Sequence, residues 1–167
     1  MVAIEYFTKW IEVEPLTTIT TEKIAKFIWK SIVCRFGVPK ELLSENGTQF
    51  ASRKVKLTCE DLGIHQVFSS VEHPQSNGQA EAANKIILNG LKKKLRAAKV
   101  EWVDRLPEVI WAYHTTVQTT TKETPFGLVY GCDAMLPIEV ELLSSRVEEF
   151  SEKESKEGRC FQLDTIE

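Results

Sequence analysis

No apolar run in this 167-residue chain approaches the roughly 18–20 residues of a membrane span, so no transmembrane segment is expected. The opening Met1-Val-Ala-Ile has no cationic segment ahead of an apolar one, so no secretory leader is read there. Cysteine is sparse and scattered. Cys34, Cys59, Cys132 and Cys160 form no C-x-x-C pair and have no histidine partner at zinc spacing, which argues against a zinc ribbon or a disulfide framework. Reduced, intracellular thiols are the expectation. No internal repeat is visible. The length suits one domain of ordinary size and is too short for two well-built ones.

The net charge of −3 conceals an asymmetry. Residues 139–167 carry 9 acids and 4 bases, whereas residues 1–138 carry 15 acids and 17 bases. Lys85, Lys92, Lys93, Lys94, Arg96 and Lys99 form a block with no acid between Lys85 and Lys99. A solvated helix face is the plain reading of such a block. A contact with a polyanion is the functional one.

Short β-prone segments at Ala3–Phe7 and Trp10–Pro15 read as two strands or one bent ribbon. Thr20 is placed to cap a helix carrying Ile24, Phe27, Ile28 and Ile32, which Gly37 and Pro39 close. A strand at 41–44 runs into a Glu45-Asn-Gly turn, and a helix at 52–62 ends on Gly63. His65–Ser69 follows as a strand, and residues 72–78 read as a loop. The longest helix spans about 79–98, with Ala80, Ala83, Ile87, Leu91 and Leu95 as its apolar stripe. Another is expected over 102–115, with Pro107 tolerable only near its start. Residues 116–138 read as an extended arm, and the acidic stretch beyond Ser144 as a loosely held tail. The β-β-α-β-α-β-α-α order implies a mixed sheet flanked by helices. Residues 1–131 form the expected core domain, followed by a linker and tail at 132–167. Trp10, Trp29, Trp102 and Trp111 are read as core or interface packing.

Two places combine polar residues with suitable scaffolding. Glu45 sits at the C-terminal end of a strand, where open α/β sheets place ligands. Glu81, Asn84 and Lys85 follow at i, i+3 and i+4 on the long helix, so they share a face. Carboxylates gathered from different elements can hold divalent ions that stabilise the attacking and leaving oxygens of phosphoryl transfer. By pattern alone, a solvated surface remains the simpler reading of either glutamate.

Several ordered segments change that balance. They are Tyr6-Phe-Thr-Lys-Trp-Ile-Glu12, Arg35-Phe-Gly-Val-Pro39, Asn46-Gly-Thr-Gln-Phe50 and Glu72-His-Pro-Gln75. The series continues with Asn77-Gly-Gln-Ala-Glu81, Asn84-Lys85, Trp111-Ala-Tyr113 and Thr124-Pro-Phe126. Over roughly residues 2–143 the chain resembles the integrase catalytic core of gypsy-type long-terminal-repeat retrotransposons. The resemblance implies a ribonuclease H-like α/β fold in which two Asp and one Glu bind Mg²⁺ or Mn²⁺. It further implies 3′-end processing and strand transfer of element DNA, with DNA as partner, possible self-association and a nuclear task. The second family Asp falls on Glu45 and the family Glu on Glu81, with 35 residues between them. Both are therefore the candidate catalytic and metal-binding residues. Asn84, Lys85, Lys92, Lys93, Lys94, Arg96 and Lys99 are the candidate nucleic-acid-binding residues.

The chain departs from that family at three points. The strand bearing the first family Asp lies upstream of Ala3, so the expected fold lacks its first strand and no residue takes that role. Glu5 corresponds to a second-strand Asp that is not the usual ligand. Position 45 is Glu, and the added methylene shifts the carboxylate outward, where misplacement of about 1 Å can lower a rate about a hundredfold. The zinc module that precedes integrase cores has no counterpart here. His73 is read as orienting its loop and His114 as neutral drift. The expectation is a catalytically inactive, retrotransposon-derived core with weak non-specific DNA affinity and marginal stability. The alternative is a non-enzymatic DNA- or protein-binding module exapted from a retroelement.

Overall fold

The computed structural model describes residues 1–69, 78–97 and 102–136, together with Ser151 and Lys156. Two strands open it, β1 (Val2–Ile4) and β2 (Ile11–Val13), paired antiparallel with Val2 opposite Val13 and Ile4 opposite Ile11. A long helical stretch comes next, composed of α1 (Thr21–Phe27), a π-helical segment (Ile28–Val33) and α2 (Cys34–Phe36). Then come β3 (Glu41–Ser44), α3 (Arg53–Asp61) and β4 (His65–Phe68), with β3 and β4 paired in parallel. Three further helices complete the described residues: α4 (Gly78–Ala97), α5 (Trp102–His114) and α6 (Pro125–Tyr130). The sheet is thus mixed in strand direction but divided into two two-stranded pieces.

Contacts gather into two units, the first comprising residues 1–4 and 11–92, the second residues 5–10 and 93–167. In the first unit, local chemistry sets each boundary. The Thr20 hydroxyl accepts the Lys23 N–H at 3.4 Å and so caps α1. Gly37, at φ +87°, stops the helical stretch in a conformation that a side chain would strain. A parallel strand pair needs a crossover, which α3 supplies. Gly63 ends α3 at φ +71°, and the Ile64 N–H returns to the Cys59 carbonyl at 2.8 Å. Ile24 and Ile28 pack with Val55, Cys59 and Ile64, and Met1, Leu42 and Phe50 close over them. Burying side chains of this size contributes about 1.5–3 kcal/mol each. Burial also pushes the Cys59 thiol pKa up, reinforced by neighbouring Glu60, which makes it an inert core residue.

The second unit is organised by aromatics. Trp10 stacks on His114 with ring centroids 3.6 Å apart, and Tyr130 meets Trp10 edge-on at 5.6 Å. Leu106, Val109 and Tyr113 are buried along α5. Pro107 is the sixth residue of that helix and has no N–H to offer the Val103 carbonyl, yet α5 runs through it. Residues 5–10 form a tight turn around Glu5, whose carboxylate accepts from Phe7 N at 3.0 Å and from Thr8 N and Oγ1 at 2.6 Å each. Partial burial opposes ionisation of Glu5, but these bonds and nearby Lys9 outweigh it and hold its pKa below the ordinary value.

Two expectations need correction. Residues 116–138 are not simply an extended arm, because 125–130 form α6. Thr124 accepts the Gly127 N–H at 2.9 Å, Pro125 occupies the first helical position, and Gly131 closes the helix at φ +66°. The two opening strands are shorter than 3–7 and 10–15, because the Glu5 turn takes up the intervening residues. Among the four tryptophans read as core or interface packing, Trp10 is buried, and Trp29, Trp102 and Trp111 are 52%, 43% and 38% exposed. The loop at 72–77, His73 within it, and most of the acidic tail lie outside the described residues.

Candidate catalytic and nucleic-acid-binding site

Glu45 immediately follows β3, at the C-terminal end of the parallel pair. Its backbone anchor is firm. Ser44 is buried, and its carbonyl accepts the Ser69 N–H at 2.9 Å, extending the ladder beyond β4. The turn after Glu45 is pinned by the Ala51 N–H on the Gly47 carbonyl at 2.9 Å. Gln66 Nε2 reaches the Phe50 carbonyl at the same distance. The Glu45 side chain itself is exposed.

Glu81 lies in the first turn of α4 and is also exposed. A carboxylate there complements the positive end of the helix, which is its minimal structural role. Helical geometry sorts the remaining candidates. At about 100° per residue, Glu81, Lys85 and Lys92 fall within about 40° of one another around the axis. Ala83, Ile87 and Leu91 take the opposite, buried side. Asn84, Lys85, Lys92 and Lys93 are exposed. Lys94 falls in the angular sector of the buried stripe and is half-buried. Its ammonium pairs with the Glu108 carboxylate of α5. Arg105 Nη1 also meets Glu108, at 2.6 Å. Lys94 and then Arg105 hold the Glu108 pKa below the usual carboxylate range. Sequence reading overlooked Arg105 and Glu108, although their i, i+3 spacing is visible. The Arg96 side chain and Lys99 lie outside the described residues.

Among the described residues, Glu45, Glu81, Lys85, Lys92 and Lys93 form no ion pair. Nor do the described residues gather three or more His, Cys, Asp or Glu into a metal cluster. Carboxylates such as Glu45 and Glu81 are oxygen donors of the kind a hard divalent cation takes. They do not fit a cage made by protein alone. No helix among the described residues is long and apolar enough to cross a membrane.

A carboxylate at the end of a parallel pair, followed by a long helix bearing a second carboxylate and lysines, belongs to a recognisable architecture. The fold is that of an integrase catalytic core, ribonuclease H-like in type. Residues 1–74 match the family model described as integrase core domain.

The chain is 28% identical over 131 residues to the Gag-Pol polyprotein of avian reticuloendotheliosis virus, across 78% of this chain and 11% of the polyprotein. It is also 28% identical over 154 residues to the transposon Tf2-3 polyprotein of Schizosaccharomyces pombe, across 91% of this chain and 12% of the other. It therefore spans only 11–12% of the length of these curated relatives. Among solved structures, one neighbour is the simian T-cell lymphotropic virus intasome in complex with PP2A regulatory subunit B56 gamma. There the TM-score is 0.70 at 21% identity, over 81% of this chain and 49% of the other. Another is the HTLV-2 integrase catalytic core in complex with magnesium, in trimeric form. Its TM-score is 0.63 at 19% identity, over 75% of this chain and 80% of the other.

Proposed function

We propose that this chain is the catalytic-core portion of a gypsy-type retrotransposon integrase. Its α4 helix binds the DNA backbone without sequence preference, and Glu45 and Glu81 hold a divalent cation, Mg²⁺ or Mn²⁺, against a DNA phosphate. The observation that carries this reading is the helix-wheel sorting of α4. Glu81, Lys85 and Lys92 occupy one exposed side, whereas Lys94 turns toward the buried stripe and its partner Glu108. A row that places one carboxylate beside two exposed lysines suits a cation held next to a phosphate backbone. Lys85 and Lys92 are about 10 Å apart along the axis, so each can meet a separate backbone phosphate. When bound, the cation supplies charge stabilisation at the oxygens that exchange at phosphorus. The protein residues supply position: Glu45 from a pinned strand end, Glu81 from a helix, Lys85 one turn further along.

The 167-residue polypeptide by itself is proposed not to join DNA strands. Its described residues gather no three-carboxylate cluster, and Glu45 is one methylene longer than the aspartate of the resembled family. A strand-transfer assay on end-processed DNA with Mg²⁺ or Mn²⁺ tests this, with Glu81→Gln as control. No joining above that control is expected. Metal-dependent joining that disappears in Glu81→Gln would overturn the claim of inactivity and uphold the site.

A further inference from the structure

Residues 23–40 carry five bases, Lys23, Lys26, Lys30, Arg35 and Lys40, and no acid. The helical stretch built from α1, the π-helical segment and α2 occupies most of this run. The acids beside it are engaged: Glu22 pairs with Lys54 at 3.3 Å, Glu12 pairs with Arg35 at 2.7 Å, and Glu41 lies 3.5 Å from the His65 imidazole. Lys23 turns its ammonium to the Thr18 carbonyl at 3.0 Å. Lys26 and Lys30 are exposed and enter no ion pair among the described residues. Beside them stands the Trp29 indole, more than half of it open to solvent.

The π-helical segment shapes this face. The core stripe of the stretch runs Ile24, Ile28, Val33, a step of four and then of five. The Cys34 N–H returns to the Trp29 carbonyl, the i→i−5 bond of a π-turn. The wider turn keeps Val33 on the core and fits one extra residue into the outer wall, among Trp29, Lys30, Ser31 and Ile32. Such turns are rare within helices and frequent at functional sites. Lys26 stands three and four residues ahead of Trp29 and Lys30, so its side chain neighbours both. An open indole face next to two unpaired cations complements a strand whose bases are free to stack and whose phosphates run alongside. A duplex stacks its bases on one another and offers the indole no such face. The carboxylates of an acidic polypeptide would answer the lysines alone.

We infer that Lys26, Trp29 and Lys30 form a binding site for single-stranded nucleic acid, with a base stacked on the Trp29 indole and the flanking phosphates met by Lys26 and Lys30. The site lies on a different helix from Lys85 and Lys92 and takes a different form of nucleic acid. Duplex binding by α4 can fail while this site stands, and the reverse.

The probe is a fluorescein-labelled oligothymidylate of about twelve nucleotides, titrated with the 167-residue chain at several salt concentrations and followed by anisotropy. Trp29→Ala is expected to weaken binding about fivefold or more with the salt slope unchanged, because stacking releases no counterions. Trp29→Phe keeps an aromatic face and is expected to retain most of the affinity. Replacing Lys26 and Lys30 together by alanine is expected to make the slope of log K against log salt shallower by about 1.4, about 0.7 for each phosphate contact on a single strand. On a duplex, Trp29→Ala is expected to bind within about twofold of the natural chain, since the backbone charges it meets are unaltered. Unchanged oligothymidylate affinity in Trp29→Ala, an equal loss in Trp29→Phe, or an unchanged slope in the double lysine variant would overturn the inference. So would a Trp29→Ala loss as large on duplex as on the single strand. A glutamate polymer of similar length that binds as tightly, and loses as much in Trp29→Ala, would make an acidic polypeptide the occupant and overturn it too. Self-association lost in Trp29→Ala with oligothymidylate binding intact would do the same in favour of a second copy.

Discussion

Removing Lys85 and Lys92 together tests the DNA-binding face most sharply, because the structure predicts a number for it. Each phosphate neutralised by a lysine contributes about −0.9 to the slope of log K against log salt on duplex DNA. Three exposed lysines without ion pairs among the described residues, Lys85, Lys92 and Lys93, give a slope of about −2.7. Affinity then falls about 40-fold between about 50 and 200 mM salt. Replacing Lys85 and Lys92 by alanine leaves one contact, a slope of about −0.9 and a loss of only about 3.5-fold over the same range. Lys94→Ala is the internal control. That lysine is engaged by Glu108, so its removal is expected to change the slope by much less than either exposed lysine. Fluorescence anisotropy with a labelled duplex at four salt concentrations measures all three proteins. Equal slopes for the natural chain and the double variant would refute the assignment of α4. So would a Lys94→Ala effect half as large as that of the double variant or larger.

Glu108→Gln should strengthen DNA binding and steepen the salt slope by up to about one contact, since it releases Lys94; an unchanged slope would deny Lys94 any reach to DNA. Ile24→Ala should lower unfolding stability by about 2–5 kcal/mol in denaturant melts, because its side chain is almost fully buried in the helical core. Trp29→Ala, at a half-exposed position, should lower it by far less. Glu5 has a depressed pKa, so its contribution is complete above the unfolded glutamate value of about 4.3 and is lost as pH falls through the folded pKa. The Thr8 amide should therefore exchange faster as pH drops below that value, after correction for intrinsic rates. Glu5→Gln should abolish this dependence.

Some of this architecture could be read directly from residues. Thr20, Gly37 and Gly63 announce their helix ends, because capping and positive φ depend on local chemistry. The Ala83–Ile87–Leu91 stripe gives the orientation of α4 in the same way. Helix α6 was equally legible in Thr124-Pro125 and Gly131, but the surrounding threonines and glycines favoured an extended reading. The π-helical segment was not legible, since Ile24, Phe27, Ile28 and Ile32 fit ordinary helical spacing as well. Residue type could not tell Trp10 from Trp29, Trp102 and Trp111, because exposure depends on which partners tertiary packing brings. For the same reason the lysine block looked uniform. Only the placement of α5 separates Lys94 from its neighbours. Strand end and helix face place Glu45 and Glu81 on their elements, while the proposal that they share a cation rests on chemistry between elements.

Electron paramagnetic resonance of Mn²⁺ titrated into the complex of this chain with a DNA duplex addresses that point most directly. The account predicts a bound Mn²⁺ population that is lost in Glu45→Gln and in Glu81→Gln alike, with duplex binding retained in both. Undiminished Mn²⁺ binding in either variant would contradict a shared cation and separate the two glutamates into unrelated surface residues.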